Sequence, residues 1–218
     1  MLITLQKALA TAGMILAMTN SAFADNRSDK SGIFIGAELG GSIGYSLAKN
    51  KDPDSMESET KILTNLQYGA RIGYQQYFNA YNGLRLYGTF NYTNFTYPLN
   101  DSASTDLFKY GANIDYLLNF SDSESPWGLF IGGGYQWVQS KDFSNMKKNA
   151  SEYEKVASNG FVINAGFSKI IDNHSRLELG VKVPLYNYYT YDFSDASEST
   201  KIRLRNPVDI YVAYSYSF

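Results

Sequence analysis

Among residues able to do chemistry, His174 stands out as the sole histidine. Asp172 lies two residues before it and Ser175 follows it, which supplies the residue types of an acid–base relay. The same stretch, Asp172-Asn-His-Ser175, is ordinary turn composition, because short polar side chains bond back to nearby backbone. It lies between two strand-like runs, so the turn reading is preferred and no catalytic residue is assigned. Gly132, Gly133 and Gly134 suggest a phosphate loop, but no Gly-Lys-Ser/Thr follows and no helix begins there. Cysteine is absent, no Cys/His cluster has zinc spacing, and the acidic loop residues lack a calcium-loop pattern. Neither a metal nor a cofactor is expected.

A second set of reactive groups is spread along the chain: Glu38, Arg71, Arg85, Lys109, Asp115, Glu178, Lys182 and Asp209. Each falls in the middle of a run that alternates apolar and polar residues, on the side opposite the apolar one. Four acids face four bases, so mutual neutralisation is possible, and isolated buried charge is costly. Two roles follow: charge pairs that plug a lumen, or charges that line a narrow pore. Gly32, Gly36, Gly40 and Gly44 recur every four residues. On a helix this spacing would mark a dimer face. On a strand all four share one face, the charged one, where they would make room for long side chains opposite.

The elements that position these groups are read from period two. From Phe108 to Phe120 the even positions are apolar or aromatic and the odd ones are nearly all polar or glycine. A strand sends these sets to opposite faces. Val208, Ile210, Val212, Tyr214, Tyr216 and Phe218 repeat the pattern at the chain's end. Eight such segments are predicted, at about 33–47, 62–78, 84–97, 107–120, 128–139, 160–171, 176–186 and 202–218. Connections alternate between long and polar (48–61, 98–106, 140–159, 187–201) and short (79–83, 121–127, 172–175).

Alternation fits both a soluble β-sandwich and a closed membrane barrel. Three features select the all-β, closed eight-stranded antiparallel up-and-down transmembrane barrel. Aromatic residues gather at the strand ends of the apolar face: Phe78, Phe120, Tyr216 and Phe218 toward the short turns, and Phe90, Tyr92, Phe108, Tyr110, Tyr135, Trp137 and Phe161 toward the long loops. Two aromatic girdles around an aliphatic band match the two interfaces of a bilayer. The opposite face carries the charges. The last strand ends in open edge residues, a hazard in water that pairing with the first strand removes. Eight strands leave an interior only wide enough for side chains, so a plugged lumen is preferred to a pore.

Composition agrees. The chain has 19 Tyr, 13 Phe and 18 Gly against 5 Pro, and a formal net charge of −2. Aromatic residues favour strands, and no basic stripe suggests nucleic acid. Lys7, the apolar run Ala8–Met18 and Ala22-Phe-Ala24 read as a cleaved export signal over residues 1–24, with the barrel over 25–218. The expected location is the outer membrane of a Gram-negative bacterium, with both termini periplasmic, as an even strand number requires.

Two stretches carry a family resemblance. The ending Tyr211-Val-Ala-Tyr-Ser-Tyr-Ser-Phe218 resembles the C-terminal signal read by the barrel-assembly machinery, which implies that role for Tyr214, Tyr216 and Phe218. Gly166-Phe-Ser-Lys, Leu177-Glu-Leu-Gly-Val-Lys-Val-Pro184, Asn187-Tyr-Tyr189 and Ile202-Arg-Leu-Arg-Asn206, in that order, resemble the Helicobacter outer-membrane protein family. Longer members of that family carry a large extracellular insertion used for adhesion, for which this chain has no room. The expected function is structural or surface-interactive, through the loops at 48–61, 140–159 and 187–201, with a narrow pore as the alternative and an enzyme after that. Outer-membrane lipid and lipopolysaccharide are the expected surroundings. The tyrosines of Tyr186-Asn-Tyr-Tyr-Thr-Tyr-Asp-Phe193 are expected to form the upper girdle.

Overall fold

The computed structural model describes residues 30–52, 55–97, 100–194 and 199–218. The export signal expected over 1–24 lies outside them. The strands are β1 (Gly32–Asp52), β2 (Ser55–Tyr77), β3 (Asn82–Tyr97), β4 (Asn100–Asn119), β5 (Trp127–Gln139), β6 (Glu154–Val156), β7 (Asn159–Ile171), β8 (Ser175–Pro184), β9 (Tyr189–Ser194) and β10 (Ser199–Ser217), and among the described residues there is one α-helix, α1 (Lys141–Lys148). Neighbouring strands pair antiparallel in the order β1-β2-β3-β4-β5-β7-β8-β10, and β10 closes back on β1 from Phe34↔Ser217 to Lys51↔Ser199. The result is a closed eight-stranded barrel. The short strands β9 and β6 add to the first part of β10 above the barrel wall.

Burial settles which face is inside. The charged and amide side chains are buried, including Glu38, Arg71, Asn113 and Asp209, whereas Leu66 is 66% exposed, Ile62 62% and Phe167 60%. An apolar exterior around a polar interior is the arrangement a bilayer selects, because lipid solvates the outside and closure leaves no unpaired strand edge. The rings expected in the girdles face outward. Phe78, Phe120, Tyr216 and Phe218 are exposed at the end with the short turns, and Phe90, Tyr110, Trp137 and Phe161 toward the other.

Two of the expected long loops are hairpins. β1 and β2 stay paired up to Asp52↔Ser55, and β3 and β4 up to Tyr97↔Asn100. Polar residues on both faces erase the hydrophobic period there, although the backbone ladder continues. The segment 140–159 holds α1 and β6, and 187–201 holds β9. At the lower end, Asp172 and Asn173 take left-handed backbone (φ 50° and 61°) to turn β7 into β8, a conformation that Asp and Asn tolerate best among non-glycine residues. His174 belongs to this turn. Its carbonyl accepts the Ser217 amide at 2.8 Å, its Nδ1 lies 3.1 Å from the Ser217 carbonyl, and its ring stacks on Tyr216. Its observed contacts tie the turn to the last strand.

Candidate functional site

The lumen is filled in tiers. Near the short turns, Tyr77, Leu117, Phe130, Ile170, Tyr211 and Ala213 form a buried cluster. The large inward rings need missing side chains around them: a Cβ at Gly180 would run into the rings of Tyr211 and Phe130, and one at Gly166 into Phe130. The glycine run of β1 obeys the same rule, with a partner other than the expected one. A Cβ at Gly36 or Gly40 would strike the β10 backbone and the side chains of Ser215 or Tyr211, not a charged group. Close strand approach and a tyrosine, rather than long charged chains, explain those two positions.

Interleaved with this cluster and above it, all eight predicted charges are buried and seven of them meet in ion pairs at hydrogen-bond distance. Glu38, Arg71, Glu178, Arg85 and Asp115 form an alternating chain across the barrel. Arg71 donates to Glu38 Oε1 through Nε at 2.9 Å and Nη2 at 2.6 Å, and through Nη1 to Glu178 Oε2. Arg85 donates to Glu178 Oε1 at 2.5 Å and to Asp115 Oδ2 at 2.7 Å. Lys182 Nζ, the eighth, stands 4.0 Å from Glu38 Oε2. The Lys109 ammonium forms a second centre, 3.0 Å from both carboxylate oxygens of Asp209, and also donates to Ser42 Oγ and Gln67 Oε1. Charge-assisted bonds of this kind are the strong ones. The guanidiniums also lie against aromatic faces, Arg85 4.7 Å from the Tyr87 ring centre and Arg71 5.3 Å from that of Tyr211.

The expected balance of four acids and four bases is corrected by Arg176. It is 3% exposed, lies 3.9 Å from Glu178, and donates to Tyr77 Oη and to Ser168 Oγ. Its parity with Glu178 and Lys182 marks it as inward in the sequence. It opens its segment, where the alternation has only begun. Neutral partners were missed too. Asn164 donates to Asn113 at 3.1 Å, and Asn206 to Asp209 at 2.6 Å. Amides without charge give no signal beyond their place in the alternation.

The upper mouth is closed by the long connections. Phe95, Leu107, Val138, Phe143, Tyr188 and Leu204 form a second buried cluster, with Val156, Tyr186 and Tyr189 packed against it. Tyr186, Tyr188 and Tyr189 therefore depart from the girdle expected of them: the first and last pack against this cluster, and Tyr188 is fully buried over the lumen, against Phe143 of α1 and Phe95 of β3. Ser140 caps α1, accepting the Asp142 amide, and its hydroxyl shares a hydrogen bond with Thr105. Outside the membrane span, Glu154 fastens β6 to β9. The Ser151 amide at 2.8 Å, the Tyr189 hydroxyl at 2.6 Å and the Ser151 hydroxyl at 3.0 Å hold its carboxyl below the ordinary glutamate range. Burial, then this carboxylate, pushes the Tyr189 phenol upward.

Comparison with protein families matches residues 69–218 to the model of the Helicobacter outer membrane protein family. A comparison with curated proteins found no match. Among solved structures, Neisserial surface protein A is similar at 11% identity over 86% of this chain and 98% of that one, with a TM-score of 0.41. The attachment invasion locus protein Ail of Yersinia pestis is 13% identical over 86% of this chain and 99% of that one, with a TM-score of 0.33. The N-terminal β-barrel domain of OprF from Pseudomonas aeruginosa is 11% identical over 83% and 99%, with a TM-score of 0.30.

Proposed function

The chain belongs to the Helicobacter outer membrane protein family, and from that premise we propose that this outer-membrane barrel works non-catalytically through its extracellular end and leaves its lumen closed. The observation that carries this reading is what occupies the interior: the lower aromatic cluster, the ion-pair chain from Glu38 to Asp115, and the Tyr188–Phe143 lid. Opening a path would separate buried ion pairs, each of which costs several kcal/mol to leave half-paired. What remains available to a partner is the upper surface made by the β1–β2 and β3–β4 hairpins, α1, β6 and β9. Both termini of the barrel lie at the short-turn end, which in this reading is periplasmic. In this reading the outward Tyr214, Tyr216 and Phe218 are the residues that the barrel-assembly machinery recognises.

The deciding measurement is conductance of the purified, folded protein in planar bilayers. A closed lumen gives no steady channel above the lipid baseline in 1 M KCl (a condition chosen to make small currents visible). Steady steps that scale with salt would overturn the closed-lumen reading in favour of a narrow charged pore.

A further inference from the structure

The outer face of the barrel changes character near the top of β10. Ile43 pairs with Val208, but Tyr45 pairs with Arg205, so β10 holds one extra residue at Asn206-Pro207. Such a bulge suits proline, which has no N–H to give a ladder, and it re-aims the side chains beyond it. Below the bulge the even-numbered residues of β10, such as Ile210, Val212 and Tyr214, face outward. Above it the odd-numbered ones do. Leu204 and Asn206 therefore turn inward and are buried, while Arg203 and Arg205 stand exposed on the outside. Unbroken alternation would have carried both guanidiniums into the mouth of the barrel.

Their height is fixed by the apolar band. Residues 208–218 are the length of strand that crosses a hydrocarbon layer when tilted, roughly 9–11 residues. Arg205 is thus the first outward-facing charged side chain of β10 beyond the upper edge, with its guanidinium 4.7 Å from the ring centre of Tyr45. The ladder sets more cations beside it, since register partners point to the same face. Arg203 pairs with Thr190, which pairs with Lys155, and Lys201 pairs with Lys49. Among the described residues, the one carboxylate on this outward patch is Asp192, 3.6 Å from Lys201. In a chain of net charge −2, five bases against one acid on one side of the collar is a local concentration. On the far side, the strands leave the band through Asn94, Asp106, Gln139 and Asn159.

We propose that this patch binds the phosphate groups of an anionic lipid headgroup in the outer leaflet. Arg203 and Arg205 serve as the fork-shaped phosphate ligands, and Lys49, Lys155 and Lys201 supply the surrounding positive field. Guanidinium geometry matches phosphate oxygens. A lipid phosphate at the hydrocarbon edge lies at the height of Arg205, whereas a soluble anion has no reason to prefer it.

The test uses the full barrel, purified in detergent, with native mass spectrometry of retained phosphorylated glycolipid (lipid A) as the readout. Wild type retains it, and retention falls with added salt. Arg203→Gln with Arg205→Gln lowers retention at least tenfold, and Lys141→Gln, a lysine outside the patch, leaves it unchanged. The dephosphorylated glycolipid is retained weakly by all three. Equal retention of the two lipids by wild type, or no loss in the double arginine variant, overturns the site. Displacement by millimolar inorganic pyrophosphate as effective as that by the lipid itself would assign the patch to a soluble polyanion and overturn the lipid proposal. Folding is checked by heat-modifiable migration on gels. Should the arginine variant fail that check, Lys49→Gln with Lys201→Gln reads the same patch. A loss of threefold or more is expected there, and unchanged retention overturns the proposal.

Discussion

Glu178 is the hub of the lumen, and neutralising it should destabilise the barrel strongly. Its two oxygens accept from Arg71 and Arg85, and Arg176 stands 3.9 Å away. In Glu178→Gln, one oxygen still accepts, but the new amide N–H₂ faces a guanidinium that can only donate. The five bases of the lumen are then opposed by three acids in place of four. Breaking a buried pair while leaving its partner charged costs about 3–5 kcal/mol. At a guanidinium slope of roughly 3–4 kcal/mol per molar, the unfolding midpoint should fall by about 1 M. Asp209→Asn is the internal comparison. It leaves Lys109 a buried charge with no carboxylate at hydrogen-bond distance and only Ser42 at 2.9 Å and Gln67 at 2.8 Å as acceptors, so a loss of about 3–5 kcal/mol is expected there too. Equilibrium unfolding in lipid vesicles can be followed by the fluorescence of Trp127 and Trp137, the only tryptophans, which face outward at opposite ends of β5. A Glu178→Gln midpoint within 0.2 M of wild type would refute the hub.

Phe143→Ala should loosen the lid alone. Burial of this ring against Tyr188 is worth about 3–5 kcal/mol, so hydrogen exchange or trypsin cleavage at Lys147 and Lys148 accelerates while the unfolding midpoint of the barrel stays put. Gly180→Val drives a branched side chain into the Tyr211 and Phe130 rings; overpacking of about 1–3 kcal/mol or more is expected, read as a reduced yield of the heat-modifiable form. Because the Glu154 carboxyl is held below its ordinary value, the unfolded segment takes up its proton first on acidification. The contribution of Glu154 is complete above the ordinary glutamate range near pH 4–5 and is lost as pH falls through the lower folded value. Exchange of the Ser151 amide should therefore rise below that range, and Glu154→Gln should remove the pH dependence. Phe218→Ala should separate folding from assembly: the ring is 74% exposed, so the variant refolds normally in detergent, while its level in the outer membrane of cells falls.

How much of this was legible in the sequence depends on which property fixes each feature. The face of a residue follows from parity, so all eight lumen charges could be named without coordinates, and Arg176 could have been. The connection between them could not. Arg71 and Glu178 are 107 positions apart and meet only because strand tilt brings different heights of the sequence to one level inside a closed wall. The strands of the two upper hairpins were invisible for a different reason. Above the membrane both faces of a strand are wet, so no hydrophobic period marks a ladder that hydrogen bonds alone continue. The place of Tyr188 is hidden because aromatic content says that a ring seeks apolar surroundings and not whether those are lipid or the lid of a lumen.

The bulge at Asn206-Pro207 shows where parity itself fails. A count from Phe218 upward assigns Arg203 and Arg205 to the interior, where they would raise the lumen excess from one positive charge to three with no acid to meet them. The cost of such unpaired charges, several kcal/mol each, far exceeds that of one irregular ladder position. Proline in a strand that must pair on both sides is the mark of that irregularity, and Pro207 stands within two residues of Arg205. A proline just inside the end of an alternating barrel strand, followed upstream by bases of the wrong parity, is therefore a reason to restart the count. Here the restart moves two arginines from a closed interior to the membrane's edge, where their charge has somewhere to act.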